Sequence, residues 1–194
     1  MISAVALFLT LGPWQGQTPQ DIYDHCKQIL RKANSAEFDI VTPPTGEPGD
    51  EGKKEHVTHY RLLKPFYWSE TAGDDVTWSD GHTVHAYDAK TNTYQKLSHD
   101  ESEPRPTAFG MFFYQDPWMD FVQHGESAVA GRIATHEDRR KELVIDSVTC
   151  LPQAVIEHKK DKTITYEIRH IHLDEPMKPL DFSWLAPVGA KPGP

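Results

Sequence analysis

Histidine is the side chain that most often binds transition metals, and the chain has eleven. Two short spacings are candidates for a metal site: His82-x-x-His85, and His170-x-His172 in a stretch with strand character. Residues two apart on a strand share a face, so His170 and His172 could bind one ion with a third ligand from a neighbouring strand. The sequence nominates no third ligand, and residues 82 and 85 would face opposite sides of a strand. We therefore expect solvated or structural histidines and no bound metal.

The two cysteines, Cys26 and Cys150, lie far apart in the sequence and in no zinc-ligand spacing. In an oxidising compartment they could form one disulfide, which would restrict the unfolded chain. We favour two buried free thiols, and the disulfide stays open as the alternative.

Hydrolytic chemistry needs a nucleophile beside a base, but no G-x-S-x-G or S-x-x-K context occurs. The carboxylates Asp74, Asp75 and those of 100–103 fall in polar turns, whereas an acid-base catalyst needs an apolar surrounding. We therefore expect neither an enzyme nor a cofactor, and a histidine-dependent metalloenzyme is the least favoured alternative.

The charge balance argues against nucleic acid as a partner. The chain of 194 residues carries 29 acidic against 20 basic side chains, a formal net charge of -9. Nucleic-acid binding depends on clustered lysine and arginine, and here the basic residues are scattered.

The beginning of the chain differs in composition from the rest, because residues 1–20 contain no charged side chain. The apolar run from Ala4 to Leu11 precedes Gly12 and Pro13 in the layout of a secretory signal. We predict a signal peptide at 1–17, one domain at 18–190 and a loose tail at 191–194. The expected location is the periplasm or another exported, soluble state, as a monomer.

One helix and many strands are predicted for the mature chain. Ile22, Cys26, Ile29 and Leu30 recur at helical spacing, which predicts an amphipathic helix over 19–33. Runs rich in Val, Ile, Thr, Tyr and Trp then predict strands, with Asp80-Gly81 as a type I′ hairpin turn. The predicted strands are 55–63, 66–71, 76–79, 82–87, 93–97, 126–135, 141–148, 153–159 and 163–173. An aromatic stretch, 108–123, predicts one or two short helices, so the fold class is α+β.

Several motifs resemble those of a known family. Tyr60–Trp68 reads as a strand ending in a basic residue and proline, followed by a second strand, and Trp78–Asp88 contains the order S-D-G-x-T-V-x-x-Y-D. Leu143–Pro152 and Phe182–Ala190 complete the series in the same order. Together they resemble the outer-membrane lipoprotein carrier (LolA-like) superfamily and its uncharacterised periplasmic relatives.

The resemblance implies an antiparallel half-open β-barrel whose concave face is roofed by short helices and encloses an apolar cavity for acyl chains. The helix 19–33 and the segment 108–123 would form the roof, with Lys64 at the position of the family's lid-latching arginine. Arginine presents a planar fork of donors and lysine a single ammonium group, so the family's own latch does not carry over unchanged. The expected ligand-binding residues are apolar side chains of the cavity and lid: Trp68, Phe112, Phe113, Trp118, Met119 and Phe121.

Two functions remain from this reasoning. The favoured one is a non-catalytic carrier of lipid or lipoprotein acyl chains, with envelope membrane proteins as donor or acceptor. The alternative is an envelope protein-binding or sensor module in which the same aromatic side chains fill a packed barrel. Periodicity cannot separate a lined cavity from a packed core, so the aromatic residues alone do not decide between them.

Overall fold

The computed structural model describes residues 19–44, 54–97, 128–129, 132–134, 141–146, 149–158 and 162–193. These ranges contain one α-helix, α1 (Pro19–Lys32), a short 3-10 helix (Pro179–Phe182) and twelve strands. The strands are β1 (Ser35–Thr42), β2 (His56–Leu63), β3 (Tyr67–Ala72), β4 (Asp75–Asp80), β5 (Val84–Asp88), β6 (Thr93–Leu97), β7 (Ala128–Val129), β8 (Arg132–Ala134), β9 (Lys141–Ile145), β10 (Pro152–His158), β11 (Thr163–Leu173) and β12 (Lys191–Pro192). The predicted helical segment 108–123 lies outside the described residues.

The strands form one sheet in the order β12-β6-β5-β4-β3-β2-β1-β11-β10-β9-β8-β7. All neighbours are antiparallel except β12 and β6, which are parallel. The strands at the two ends of this order, β12 and β7, do not pair with each other within the described ranges. The described fold is therefore an open, mostly antiparallel sheet with one α-helix.

Helix α1 confirms the helix predicted from the spacing of apolar residues. Ile22, Cys26 and Leu30 are four residues apart and all buried, so they form one stripe along the helix. The negative charge of Asp21 in the first turn and the positive charge of Arg31 in the last turn interact favourably with the helix dipole. Within the described ranges, no helix combines the length and the apolar character that a membrane span requires.

The hairpin between β4 and β5 is present, but its predicted turn type is wrong. A type I′ turn needs positive φ at both central residues, and here Gly81 has a φ of 89° while neither Asp80 nor His82 has a positive φ. Asp80 stays in the strand, and its Oδ1 atom accepts hydrogen bonds from the backbone nitrogens of His82 (2.9 Å) and Thr83 (2.8 Å). The carboxylate thus orders a longer loop than the Asp-Gly pair predicted.

Two further stretches differ from the sequence-based expectation. The single strand predicted over 126–135 is two short strands, because Val129 pairs with Arg132 in a hairpin of β7 and β8. At the other end of the chain, Lys191 pairs with Thr93 and the nitrogen of Gly193 donates to the carbonyl oxygen of Tyr94 at 2.6 Å. The end of the chain is therefore bonded to the sheet edge, where composition predicted a loose tail.

Candidate functional site beneath helix α1

One face of the sheet, which we call the inner face, packs against α1. Directly opposite residues on neighbouring strands share a face, and the register places five residues in one line across β1 to β5. This line, the buried row, consists of Ala36, Leu62, Trp68, Ser79 and Val84. None of the five is more than 6% exposed. The inner face is thus apolar and covered along this row, with Ser79 as its one polar side chain.

The buried row and α1 belong to one hydrophobic cluster. From the helix the cluster contains Ile22, Tyr23, Cys26 and Leu30, and from the sheet it includes Phe38, Leu143, Ile145 and Ile168. A fully buried aliphatic or aromatic side chain contributes roughly 1.5–3 kcal/mol relative to an exposed one. Burial of these apolar side chains is therefore a large part of what attaches α1 to the sheet.

Trp68 is the one predicted cavity residue within the described ranges. Its side chain is 5% exposed and packs in the cluster beneath α1. The other five predicted cavity residues, Phe112, Phe113, Trp118, Met119 and Phe121, lie outside the described residues. The structure thus places Trp68 on the inner face of the sheet, in the apolar cluster that α1 shares.

Lys64, the predicted lid latch, connects the turn between β2 and β3 to the end of α1. Its Nζ atom donates a 2.6 Å hydrogen bond to the carbonyl oxygen of Arg31. Its backbone nitrogen donates to the carbonyl oxygen of Asn34 at 2.9 Å, just past the helix. Partial burial lowers the pKa of the Lys64 ammonium, and the charge of Asp174 acts in the opposite direction.

The junction between α1 and β1 is also tied to the end of β11. The backbone nitrogen of Asn34 donates to Oδ1 of Asp174 at 2.7 Å, and the nitrogen of Asp174 donates to the carbonyl oxygen of Ser35 at 3.0 Å. The hydroxyl of the buried Ser35 donates to the carbonyl oxygen of Glu175 at 2.7 Å. The C-terminal end of the helix is therefore fixed by polar contacts from two sides.

Tyr23 introduces a polar atom into the contact between α1 and the sheet. The residue is 2% exposed, and its hydroxyl has no hydrogen-bond partner within the described part of the chain. An unsatisfied buried hydroxyl costs about 1–3 kcal/mol. The packing of α1 is thus less favourable at Tyr23 than around its aliphatic neighbours.

Beside the buried row, the inner face becomes polar. Phe38, Tyr60, Glu70, Thr77 and Ala86 form this second row by the same register. The ring of Tyr60 stacks on the buried Phe38 with centroids 5.2 Å apart, and Tyr60 lies directly opposite Glu70 on β3. Burial raises the pKa of Glu70, while the interactions with Tyr60 and the nearby His56 oppose that rise. Burial also raises the pKa of Tyr60, and the Glu70 charge adds to this effect.

The opposite, outer face carries most of the histidines considered for metal binding. Oδ1 of Asp39 lies 2.7 Å from Nδ1 of His59, and Oδ2 lies 2.7 Å from Nδ1 of His170. His172 lies 4.0 Å from Glu175, and His85 stacks on Trp78. In the described ranges, no three His, Cys, Asp or Glu side chains are arranged to hold a metal ion.

An aromatic cluster covers another part of the outer face. Trp184, from the segment after β11, contacts Trp78, Tyr87 and Tyr94 with ring centroids 4.1, 5.4 and 6.4 Å apart. Phe182 is buried against Tyr67. Trp68 and Trp184 therefore lie on opposite faces of the same sheet.

Both cysteines are buried free thiols, the state favoured from the sequence. Burial raises the pKa of the Cys26 thiol to about 12, and the charge of Cys150 adds to the effect. Burial also raises the pKa of Cys150. Neither thiol has the lowered pKa of a catalytic cysteine.

A solved structure shares this architecture. An uncharacterized conserved protein from Thermus thermophilus matches at 11% identity with a TM-score of 0.55, over 91% of this chain and 99% of that one. The structural neighbours also include a LolA superfamily protein. That protein, from Nitrosomonas europaea, is 8% identical, with a TM-score of 0.43, and the match covers 87% of this chain and 98% of that chain. No protein-family model matches the sequence, and no curated protein does.

Likeness to a solved structure at such an identity concerns the fold alone. The sequence reasoning missed the pair of Tyr60 and Glu70. Alternation along β2 and β3 would have placed each on a face, but their pairing depends on the register between the strands.

Proposed function

We propose that the protein is a non-catalytic carrier that binds acyl chains between α1 and the inner face of the sheet. The observation that carries the proposal is the apolar cluster shared by α1 and the buried row. An acyl chain gains about 0.8 kcal/mol for each methylene removed from water, so a carrier needs an extended apolar surface and no reactive group. The inner face supplies such a surface once α1 moves aside.

The contacts of α1 support a helix that opens. The helix packs on the sheet through apolar side chains, and acyl chains can replace this kind of contact. Its C-terminal end is fixed by Lys64 and Asp174, so the helix would pivot about residues 31–35. Tyr23 supports the same movement, because its hydroxyl gains a hydrogen-bond partner when the contact between α1 and the inner face opens to a ligand or to water.

The location of the carrier and its partners belong to the same proposal. We propose that residues 1–17 direct export, that the carrier works in the periplasm or another exported location, and that envelope membrane proteins donate or accept its lipid or lipoprotein cargo. The segment 108–123, with Phe112, Phe113, Trp118, Met119 and Phe121, would complete the cover of the inner face.

Quenching of tryptophan fluorescence tests the carrier function, because Trp68 and Trp184 report on opposite faces. The probe is 12-bromo-1-dodecanol, whose bromine quenches nearby tryptophan and whose headgroup has no charge. We expect saturable quenching at a ratio of about one or a few molecules per protein. Trp68→Phe should remove a large part of the quenching, and Trp184→Phe should leave it in place.

Two outcomes of this quenching experiment would refute the proposal. Absence of saturable quenching would exclude binding of a simple acyl chain at the inner face. Loss of quenching in Trp184→Phe but not in Trp68→Phe would place the chain on the outer face and overturn the proposed site.

A second candidate function, an envelope protein-binding or sensor module, is favoured by one observation. Trp68 is buried in a cluster in which Phe38, Leu62 and Leu143 are each at most 1% exposed. A core packed in this way would not admit a chain. The quenching experiment separates the two, because a packed module leaves Trp68 unquenched.

A further inference from the structure

The pair of Tyr60 and Glu70 is the polar group that borders the apolar part of the inner face. Leu62 and Trp68, in the buried row, lie two residues along β2 and β3 from Tyr60 and Glu70, on the same face. A chain lying over Leu62 and Trp68 in the direction of β2 and β3 would therefore bring its polar end within reach of the Glu70 carboxyl group. Tyr60 stacks on Phe38 and lies directly opposite Glu70, so its ring borders Glu70 on the β2 side.

The other side of Glu70 is bordered by shorter side chains. Across β4 and β5 the second row continues with Thr77 and Ala86, which reach less far from the sheet than Tyr60. Glu70 itself is half-buried. A ligand group can thus approach the carboxyl group from the β4 side without displacing the Tyr60 ring.

The charges of the inner face select the kind of group that can approach. At the inner-face positions of β1 to β6, the register places three carboxylates, Glu70, Asp75 and Asp88, together with His56. These positions hold neither lysine nor arginine. An anionic headgroup would meet like charge, whereas an N–H donor would give the carboxylate a second partner.

We propose that Glu70, beside Tyr60 on the inner face, binds the amine or amide N–H of an amphiphilic ligand, and that the β1 to β6 part of the inner face disfavours anionic headgroups. The inference rests on the proposed carrier function and adds the headgroup class of the cargo. Hydrogen bonds to a charged group are stronger than neutral ones, so the preference should be measurable in affinity.

A matched pair of amphiphiles tests the inference: dodecylamine and dodecanoate, with the same chain length and opposite charge. The affinity of each is measured at pH 7 by displacement of 12-bromo-1-dodecanol from the protein. We expect dodecylamine to bind at least about tenfold more tightly than dodecanoate. Glu70→Gln should abolish most of this preference, and Tyr60→Phe should reduce it.

The control is Glu167→Gln, which removes the same charge from the outer face, where Glu167 lies opposite Val41. Both variants remove one negative charge, but only Glu70→Gln removes it from the inner face. Glu167→Gln should therefore leave the preference unchanged. Equal affinity for the two amphiphiles, or an undiminished preference in Glu70→Gln, would overturn the inference while bromododecanol binding still supports a carrier. Binding of none of the three compounds would overturn the carrier function and this inference together.

Discussion

The Nζ atom of Lys64 donates a hydrogen bond of 2.6 Å to the carbonyl oxygen of Arg31, in the last turn of α1. The last carbonyl groups of a helix have no partner within the helix, and the negative end of the helix dipole lies there. A lysine ammonium group can donate a hydrogen bond to such a carbonyl group, and its positive charge interacts favourably with the negative end of the dipole, although it lacks the planar fork of arginine. The bond therefore attaches the helix to the turn between β2 and β3 by charge and by hydrogen bonding.

Removal of the Lys64 ammonium should loosen the C-terminal end of α1. Lys64→Met keeps most of the aliphatic stem and loses the hydrogen bond, which should cost about 0.5–1 kcal/mol. We expect faster amide hydrogen exchange in the last turns of α1 and faster release of bound bromododecanol, measured by stopped-flow fluorescence. Lys64→Arg should retain slow release, because arginine can donate to the same carbonyl group.

Lys96→Met provides the control for Lys64, since Lys96 lies on β6 and is exposed. It removes one positive charge without touching α1. An unchanged release rate in Lys64→Met, or an equal acceleration in Lys96→Met, would show that Lys64 does not latch the helix.

Local pattern in the sequence was sufficient for most of the described elements. The spacing of Ile22, Cys26 and Leu30 predicted α1 to within one residue of its end. The bounds predicted for the strands at 56–63 and 163–173 also agree with the structure to within one residue. Errors arose where a side chain or the backbone forms a hydrogen bond that no local sequence pattern reveals. Asp80 accepts two backbone hydrogen bonds and so changes the turn type, and the backbone of residues 191–193 bonds to β6.

The candidate site was predictable only in part, for a related reason. Lys64 was singled out because it precedes a proline in a motif, and it does contact the helix. Tyr60 and Glu70 were missed because their meeting depends on the register of β2 against β3, which is set by the whole sheet. Tyr23 was missed because one aromatic residue on an amphipathic helix gives no sign that its hydroxyl lacks a partner.

Tyr23→Phe should stabilise the ligand-free protein. The substitution removes a buried hydroxyl that has no partner in the described part of the chain and keeps the ring in the cluster. We expect the free energy of unfolding to rise by about 1 kcal/mol, measured by urea denaturation. A lower stability would indicate that the hydroxyl already has a bonding partner.

Asp39 should contribute a pH-dependent part of the stability. Burial acts to raise the pKa of its carboxyl group, but hydrogen bonds from His170 and His59 outweigh burial and lower it. Because the pKa in the folded state lies below the unfolded value of about 4, the contribution is present above that pH and is lost as the pH falls through the folded value. We therefore expect Asp39→Asn to lower the urea midpoint at pH 7.

The difference between the wild-type protein and Asp39→Asn should then shrink on acidification. Below about pH 4 the carboxyl group of the unfolded chain takes up its proton, so the advantage of the ionised Asp39 over asparagine falls as the pH drops further. The variant has no such group to titrate. An equal difference at pH 7 and pH 3 would mean that the ionised form of Asp39 does not stabilise the fold.

The two thiols should resist alkylation in the folded protein. Both are buried, and burial raises the pKa of Cys26 to about 12, so almost no thiolate is present near neutral pH. With iodoacetamide at pH 8, we expect mass spectrometry to detect two added groups only after denaturation. If neither cysteine is alkylated after denaturation without reductant, the result would instead indicate a Cys26–Cys150 disulfide.

Trp184 should stabilise the outer face through its contacts with Trp78, Tyr87 and Tyr94. Trp184→Ala removes these contacts and should lower the free energy of unfolding by about 3 kcal/mol. The neighbouring Leu185 is 90% exposed, so Leu185→Ala should change stability by less than about 0.5 kcal/mol. Urea denaturation of the two variants measures the contrast. Similar losses in both would mean that the segment after β11 is held by its backbone bonds to β6, and not by the Trp184 ring.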